Sequence, residues 1–371
     1  MISGHHSPDF SALAAVFADM VASGEERGAI AVVRDGETLV DLCGGAGDPR
    51  NGRPWQADTR ACCFSVGKGV LSILALRLIG RGLLDPSQPV ASVWPEFAAA
   101  GKGAITLCDV MTHRAGLPAV SGPVVPGDLY DWDRMVELLA ASAPVVPARS
   151  EPVYHNMTYG HLLGEILRRA AGAATLSDLL QADLCAPLQA DFRLGLTPEE
   201  AALAAHLTQQ DGGDPMAVLD GPDDTLFARS MRFFARDEDF NSTRWRRAVI
   251  GAGSGHATAL GLARIYGETV RAGGLLADDA RRLAATEQAR STGPDPILGM
   301  PMRFSLGLEL STPPALDFGP SERIIGHWGA GGATALADPQ TGLSFGYVTG
   351  NMVPGLRSSD RARRLIGALF Q

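Results

Sequence analysis

Lysine is almost missing from this 371-residue sequence: Lys68 and Lys102 stand against 30 arginines. An arginine in a protein never gives up its proton, whereas a desolvated lysine does. A chain that uses arginine almost everywhere keeps a lysine where a removable proton matters. Cysteine is scarce and odd in number, at Cys43, Cys62, Cys63, Cys108 and Cys185. Without metal-type pairing of motifs, this odd number reads as reduced thiols of a cytoplasmic protein. The neighbours Cys62 and Cys63 read as small buried residues rather than a redox switch. No apolar run approaches the ~18 residues of a membrane span. No basic patch stands out and the net charge is −9, which excludes nucleic acid as the expected partner. Met1 to Pro8 has no basic region followed by an apolar core, so no signal peptide is expected there. His5 and His6 read as a disordered terminus. His161, His206 and His256 have no ligand spacing, so neither metal nor cofactor is expected.

What is present is a globular composition, 46% hydrophobic, long enough for one large domain or two intertwined ones. The chain is organised around Ala61 to Ile79. Apolar residues lie nearly all round this segment, which predicts a helix buried at the centre of the fold. Ser65 falls at its N-terminus and Lys68 three residues later, on the same face. A serine hydroxyl is a weak nucleophile until a base takes its proton. The first turn also offers free N–H groups and the positive dipole end to a developing oxyanion. With 22 serines and two lysines, chance supplies roughly 0.1 Ser-x-x-Lys pairs. The plain alternative is a serine that only caps a helix beside a solvated lysine.

Helical spacing covers Pro8 to Ser23. Two β-rich runs, Ala29 to Val33 and Thr38 to Cys43, flank Asp35-Gly36 and predict a hairpin. Short helices are expected over Thr106–Thr112 and Asp131–Ala141, and further helices over Thr158–Ala171, Leu176–Leu184 and Thr258–Ala272. Leu188 to Asp239 is expected to be irregular and helical in part. Gly251-Ala252-Gly253-Ser254-Gly255 is neither a dinucleotide fingerprint nor a nucleophile elbow, and reads as close backbone packing. Strand patterns cover Phe304–Leu310, Ile324–Trp328, Ala333–Asp338 and Ser344–Thr349, before a last helix over Ser359–Phe370. Strands at both ends around a helical middle imply an α/β (α+β) fold: an antiparallel sheet built from both termini, flanked by helices, with an all-α insertion. The expected division is residues 1–80 with 250–371 as the sheet domain and 81–249 as a mainly helical one, with the active site in the cleft between them.

Four stretches carry a resemblance: Ser65-Val66-Gly67-Lys68, Met111-Thr112-His113-Arg114-Ala115-Gly116-Leu117-Pro118, Tyr154-His155-Asn156, and His327-Trp328-Gly329-Ala330-Gly331-Gly332. In this order they resemble the serine β-lactamase-like superfamily, and within it the class C β-lactamase-like esterases known as family VIII carboxylesterases. The resemblance runs from about Ala14 to Phe370 and is weakest between Leu188 and Arg247. It implies the β-lactamase/penicillin-binding-protein transpeptidase-like fold and a Ser-Lys-Tyr mechanism. Ser65 is then the nucleophile, and Lys68 and Tyr154 share its proton. The N–H groups of Ser65 and Ala330 form the oxyanion hole. Asn156, His327, Trp328 and Gly329 bind substrate, Asn156 also orienting Lys68. A nearby ammonium is expected to favour the Tyr154 phenolate. Tyr159 and His113 read as structural, and His155 as pointing away from the site.

The sequence departs from the lactamase pattern at the third motif, where a lysine and a hydroxyl residue usually precede the glycine. Here His327 and Trp328 stand in their place. The expected activity is therefore a carboxylesterase acting on small short-acyl esters through an acyl-serine intermediate, with weak β-lactam hydrolysis. A class C-like β-lactamase or D-aminopeptidase is the alternative, followed by an acyltransferase or a non-catalytic binding relative. The expected partner is a small ester, with no nucleic acid and no membrane, and the protein is expected to be a monomer or homodimer.

Overall fold

The structure is a computed structural model that describes residues 1–210, 222, 224–355 and 359–371. Part of the stretch expected to be irregular, residues 211–221 and 223, lies outside the described residues. A nine-stranded sheet forms the frame. Its order is Ile2–His6, Glu37–Gly44, Gly28–Arg34, Leu343–Thr349, Thr334–Ala337, Ile325–Trp328, Glu309–Leu310, Arg303–Phe304 and Ala289–Arg290. Every neighbouring pair is antiparallel. Both ends of the chain thus build one sheet, as the strand patterns predict. The segment between them is mainly helical, and it also carries the two-residue strands Phe192–Arg193 and Thr208–Gln209. No helix among the described residues is long and apolar enough to cross a membrane.

Side-chain alternation explains how the sheet is covered on both faces. In Gly28–Arg34, Ile30 and Val32 pack with Leu13, Phe17 and Leu365 of the two terminal helices, Ser11–Ala22 and Asp360–Leu369. Ala29, Ala31 and Val33 face the other way, into the core formed with the Val66–Gly80 and Ala259–Gly267 helices. These inward residues are small because a helix comes close. A Cβ on Gly346 would lie 2.2 Å from the Ala259 carbonyl oxygen.

Two elements differ from expectation. Ile2–His6 is not a disordered end but an edge strand, paired with Gly44 to Val40. Its side chains are largely exposed, so no alternation marks it; backbone hydrogen bonding alone makes it a strand. Phe304 to Leu310 is not one strand but a tight hairpin, Arg303–Phe304 against Glu309–Leu310. Gly307, at φ +87°, turns it under Ser72 of the central helix, where a Cβ would meet Ser72 Oγ at 2.5 Å. This turn brings Glu309 inward.

The Val66–Gly80 helix is buried almost all round. Its glycines admit neighbours where any side chain would collide. A Cβ on Gly69 would sit 2.0 Å from Tyr266 Oη, whose hydroxyl donates to the Val66 carbonyl at 2.9 Å. Alanine gains about 1 kcal/mol over glycine in a helix, but overpacking a core costs about 1–3 kcal/mol and displacing Tyr266 forfeits a buried hydrogen bond worth about 1 kcal/mol. Gly69→Ala is therefore expected to lower the denaturation midpoint. Equilibrium unfolding in urea checks this, and a variant as stable as the parent would disprove the packing argument.

Candidate active site

The segment entering the central helix is held from several sides. Ala61–Cys62 pairs with His256–Ala257, and the Cys63 N–H donates to the Gly255 carbonyl at 2.8 Å. Burial pushes the Cys62 thiol up to about 11 and the Cys63 thiol well above its ordinary value, so both are inert packing residues. Phe64 is left-handed at φ +46°, a conformation that costs a non-glycine residue about 1–3 kcal/mol. Its ring is pinned edge-on against Phe240, centroids 5.2 Å apart. The next residue, Ser65, takes the N-cap position, but its side chain makes no capping hydrogen bond. Its hydroxyl is committed elsewhere.

That partner is Lys68, whose Nζ donates to Ser65 Oγ at 2.7 Å and to the Ala252 carbonyl at 3.1 Å. Lys68 is fully buried. Burial lowers its pKa to about 7, against the opposing pull of the Glu309 carboxylate. The Ala252 carbonyl comes from the glycine run, which packs so tightly that a Cβ on Gly160 would lie 2.3 Å from Ala252 N. Close backbone packing is thus what those glycines provide.

Tyr154 completes the cluster. Lys68 Nζ lies 4.9 Å from the centre of its ring, and its phenol shares a hydrogen bond with the Ser65 side chain. The phenolate expected from a nearby ammonium is not favoured. Burial and the Glu309 charge push Tyr154 well above its ordinary value, and the Ser65 hydrogen bond only partly offsets them. The group near neutrality in this cluster is the amine rather than the phenol.

The loop carrying Tyr154 is fixed by buried polar groups. The Tyr154 N–H donates to Asp295 Oδ2 at 2.7 Å, and the other Asp295 oxygen takes the Ile297 and Leu298 N–H groups. The His155 N–H donates to His113 Nδ1 at 3.0 Å, and His155 Nε2 accepts the Leu117 N–H at 3.0 Å. His113 stacks on Tyr159 and lies 4.9 Å from the Tyr154 ring. Both histidines shape the loop, and burial keeps both neutral. Tyr159 packs in the core, its hydroxyl against Ser72 Oγ at 2.7 Å.

Ser65, Tyr154, Asn156, Leu298, Met300, Glu309, Leu316, Trp328 and Ala330 line a single cavity of about 10 Å³, room for about one water molecule. Leu298, Met300, Leu316, Trp328 and Ala330 give it an apolar side, and no described residue of the lining is a cation. Trp328 stacks on Phe318, planes 10° apart, and its buried Nε1–H has no partner among the described residues. Asn156 turns its amide to Met231 Sδ at 3.0 Å rather than to Lys68. His327 lies behind the wall, its Nδ1 2.8 Å from the Trp328 carbonyl. Gly329 also lies outside the lining; a Cβ there would strike the Cys63 carbonyl at 2.3 Å, so glycine lets this strand end press against the turn before Ser65. That contact brings Ala330 to the cavity. Among the described residues, no backbone carbonyl engages the Ser65 or Ala330 N–H.

Three contributors escaped the sequence reading: Glu309, Asp295 and the Ala252 carbonyl. Glu309 left one trace, a lone acid in the apolar run from Phe304 to Leu310. Asp295 left none in a proline-rich loop, and a carbonyl has no residue type to reveal it. A larger cavity of about 190 Å³ opens beside Asp35, Arg264, Glu268 and Arg271. Its serine, Ser344, gives its hydroxyl to backbone carbonyls of Val33 and Ala263, and its arginines already serve Gln189 and Glu268, so size does not mark the chemistry. Among the described residues, no three His, Cys, Asp or Glu side chains gather as a metal site.

Comparison with known proteins gives the relatives of the whole chain. A family profile described as Beta-lactamase matches residues 13–369. The chain is 32% identical over 387 residues to the Esterase/beta-lactamase LipL of Mycobacterium tuberculosis, covering 97% of this chain and 86% of that protein. It superposes on a penicillin-binding protein homolog from Caulobacter crescentus with a TM-score of 0.90 at 34% identity, covering 100% and 99% of the two chains. A family VIII carboxylesterase matches with a TM-score of 0.88 at 28% identity, again over 100% and 99%.

Proposed function

Because the chain belongs to the beta-lactamase family and has its serine-hydrolase fold, we propose that it is a carboxylesterase that cleaves small, neutral, short-acyl esters through an acyl-Ser65 intermediate. The observation that carries this reading is the 2.7 Å contact between Ser65 Oγ and a fully buried Lys68 amine. An amine whose pKa has fallen to about 7 is a base at neutral pH, matched to its task. In the proposed cycle Lys68 takes the Ser65 proton, and Oγ attacks the ester carbonyl carbon. The Ser65 and Ala330 N–H groups hold the oxyanion. The neutral Tyr154 phenol relays the proton to the departing alcohol. Water then attacks the acyl-serine, and the acid leaves. As part of the same reading, residues 1–80 with 250–371 form one domain and 81–249 the other, with this cavity in the cleft between them.

The cavity lining supports the choice of substrate. A β-lactam brings a carboxylate, no described residue of the lining is a cation to pair with it, and the Trp328 face is a poor neighbour for an anion. One lost charged hydrogen bond is worth about 1.5–3 kcal/mol, which is roughly 10–100-fold in rate. A neutral ester loses nothing. The name of the Mycobacterium tuberculosis relative joins both activities, so slow lactam turnover is part of the proposal. The expected result is a kcat/KM for p-nitrophenyl butyrate at least about 100-fold above that for benzylpenicillin. A preference for benzylpenicillin would make the lactamase or D-aminopeptidase reading the better one.

A further inference from the structure

The mechanism leaves one cavity-lining group without a task. Glu309 is buried, 3% exposed, at the end of the hairpin that turns under the central helix. Its Oε2 accepts the Trp328 N–H at 3.4 Å, and its Oε1 lies 3.5 Å from His327 Nε2. The protonation of that histidine follows from its other nitrogen. Nδ1 is 2.8 Å from the Trp328 carbonyl oxygen, which accepts and never donates, so Nδ1 carries the hydrogen. In a neutral ring Nε2 is then a bare lone pair, and among the described residues no donor serves it. A carboxylate oxygen facing a lone pair is repulsive, whereas a carboxylic acid facing it is a donor. A proton therefore belongs between Oε1 and Nε2. Placing it on the histidine would create two buried charges, one of them close to Lys68. Placing it on the carboxyl creates none.

We propose that Glu309 is a positioning residue that stands as a neutral carboxylic acid, donates its hydrogen toward His327 Nε2, and thereby leaves Lys68 without a counter-ion. The proposal rests on the reading of Lys68 as the base for Ser65. Burial raises Glu309 to about 8 and lowers His327 to about 3, in keeping with a neutral pair. The titratable groups that face Glu309 are Lys68 from the central helix, Tyr154 from its loop, His327 from the adjoining strand and Tyr266 from the Ala259–Gly267 helix. The last three stay neutral around pH 7. The proton balance of the site is thus shared between Glu309 and Lys68. An ionised Glu309 stabilises the Lys68 ammonium and makes it a weaker base; the neutral acid does neither.

The scarcity of lysine supplies a direct test. Lysine labelled with ¹⁵N and ¹³Cε gives two signals, one from Lys68 and one from Lys102. In the wild type the Lys68 signal is expected to follow two inflections with pH, its own and that of Glu309. In Glu309→Gln, where the amide keeps a donor for His327 but cannot ionise, the inflection that belongs to Glu309 is expected to vanish while the Lys68 inflection stays in place, because a neutral acid and a neutral amide leave the amine equally without a counter-ion. The acid limb of the kcat/KM profile should stay with it. A Glu309 that stood ionised beside Lys68 would instead let the Lys68 midpoint fall on substitution, and a residue with only a packing role would give the wild type no second inflection. A single inflection in the wild type, or a Lys68 midpoint lowered by the substitution, overturns the proposal. If Glu309→Gln does not fold, the wild-type titration decides alone. Because that titration needs no turnover, its failure is separate from failure of the esterase reading, which is decided by whether Ser65 takes up an acyl group.

Discussion

Ser65→Ala is expected to remove ester hydrolysis almost entirely, lowering kcat for p-nitrophenyl butyrate by a factor on the order of 10⁵–10⁶. The size follows from the chemistry. Without Oγ no acyl-enzyme forms, and what remains is water reacting beside an oxyanion hole and a base. The fold should survive, because the Ser65 side chain caps nothing and Lys68 keeps the Ala252 carbonyl. A fluorophosphonate should label the parent at Ser65 and leave the variant unlabelled, read by peptide mass spectrometry. Ser254 is the natural control: it is fully buried, its hydroxyl donating to the Ala248 carbonyl and accepting the Ile250 N–H. Label on Ser254, or activity retained in the alanine variant, would end the proposal that Ser65 is the nucleophile.

The second large effect separates charge from basicity. Lys68→Ala and Tyr154→Phe are each expected to cost on the order of 10²–10⁴ in kcat. Phenylalanine keeps the ring beside His113 and Lys68 and loses only the hydroxyl that meets Ser65, so binding should change little. The double variant should lose far less than the product of the two, since groups that move one proton act as a unit. Lys68→Arg is the sharper case. It preserves the positive charge near Ser65 and abolishes its release, because a guanidinium does not deprotonate at any working pH. If the amine works as a base, arginine should be as damaging as alanine. Activity in Lys68→Arg within tenfold of the parent would mean that Lys68 acts only through its charge.

How much of this was legible in the sequence depends on what kind of atom does the work. Ser65 and Lys68 were legible because helical spacing puts residues three apart on one face, and because two lysines in the whole chain make the pairing conspicuous. The central sheet strands were legible where their side chains alternate or run apolar. Ile2–His6 escaped because its pairing is a backbone matter and its side chains are mostly exposed. The hairpin at Gly307 escaped because its apolar residues read as one strand, and with it went the inward turn of Glu309. The electrostatics of Tyr154 also came out differently. A lysine beside a tyrosine lowers the phenol's pKa when both are solvated, but here burial outweighs it. Burial is a property of the assembled fold, and no local motif reports it.

The burial of both lysines has a consequence for the outside of the molecule. Lys68 is enclosed at the cavity, and Lys102 holds the Ala99, Ala140 and Ser142 carbonyls from the interior. The remaining cations of the chain's side chains are guanidinium groups and histidines, and a guanidinium, always protonated, does not attack an activated acyl group. The protein's exterior is thus free of lysine aminolysis. An ester reactive enough to acylate Ser65 meets no competing lysine ε-amine on its way to the cavity.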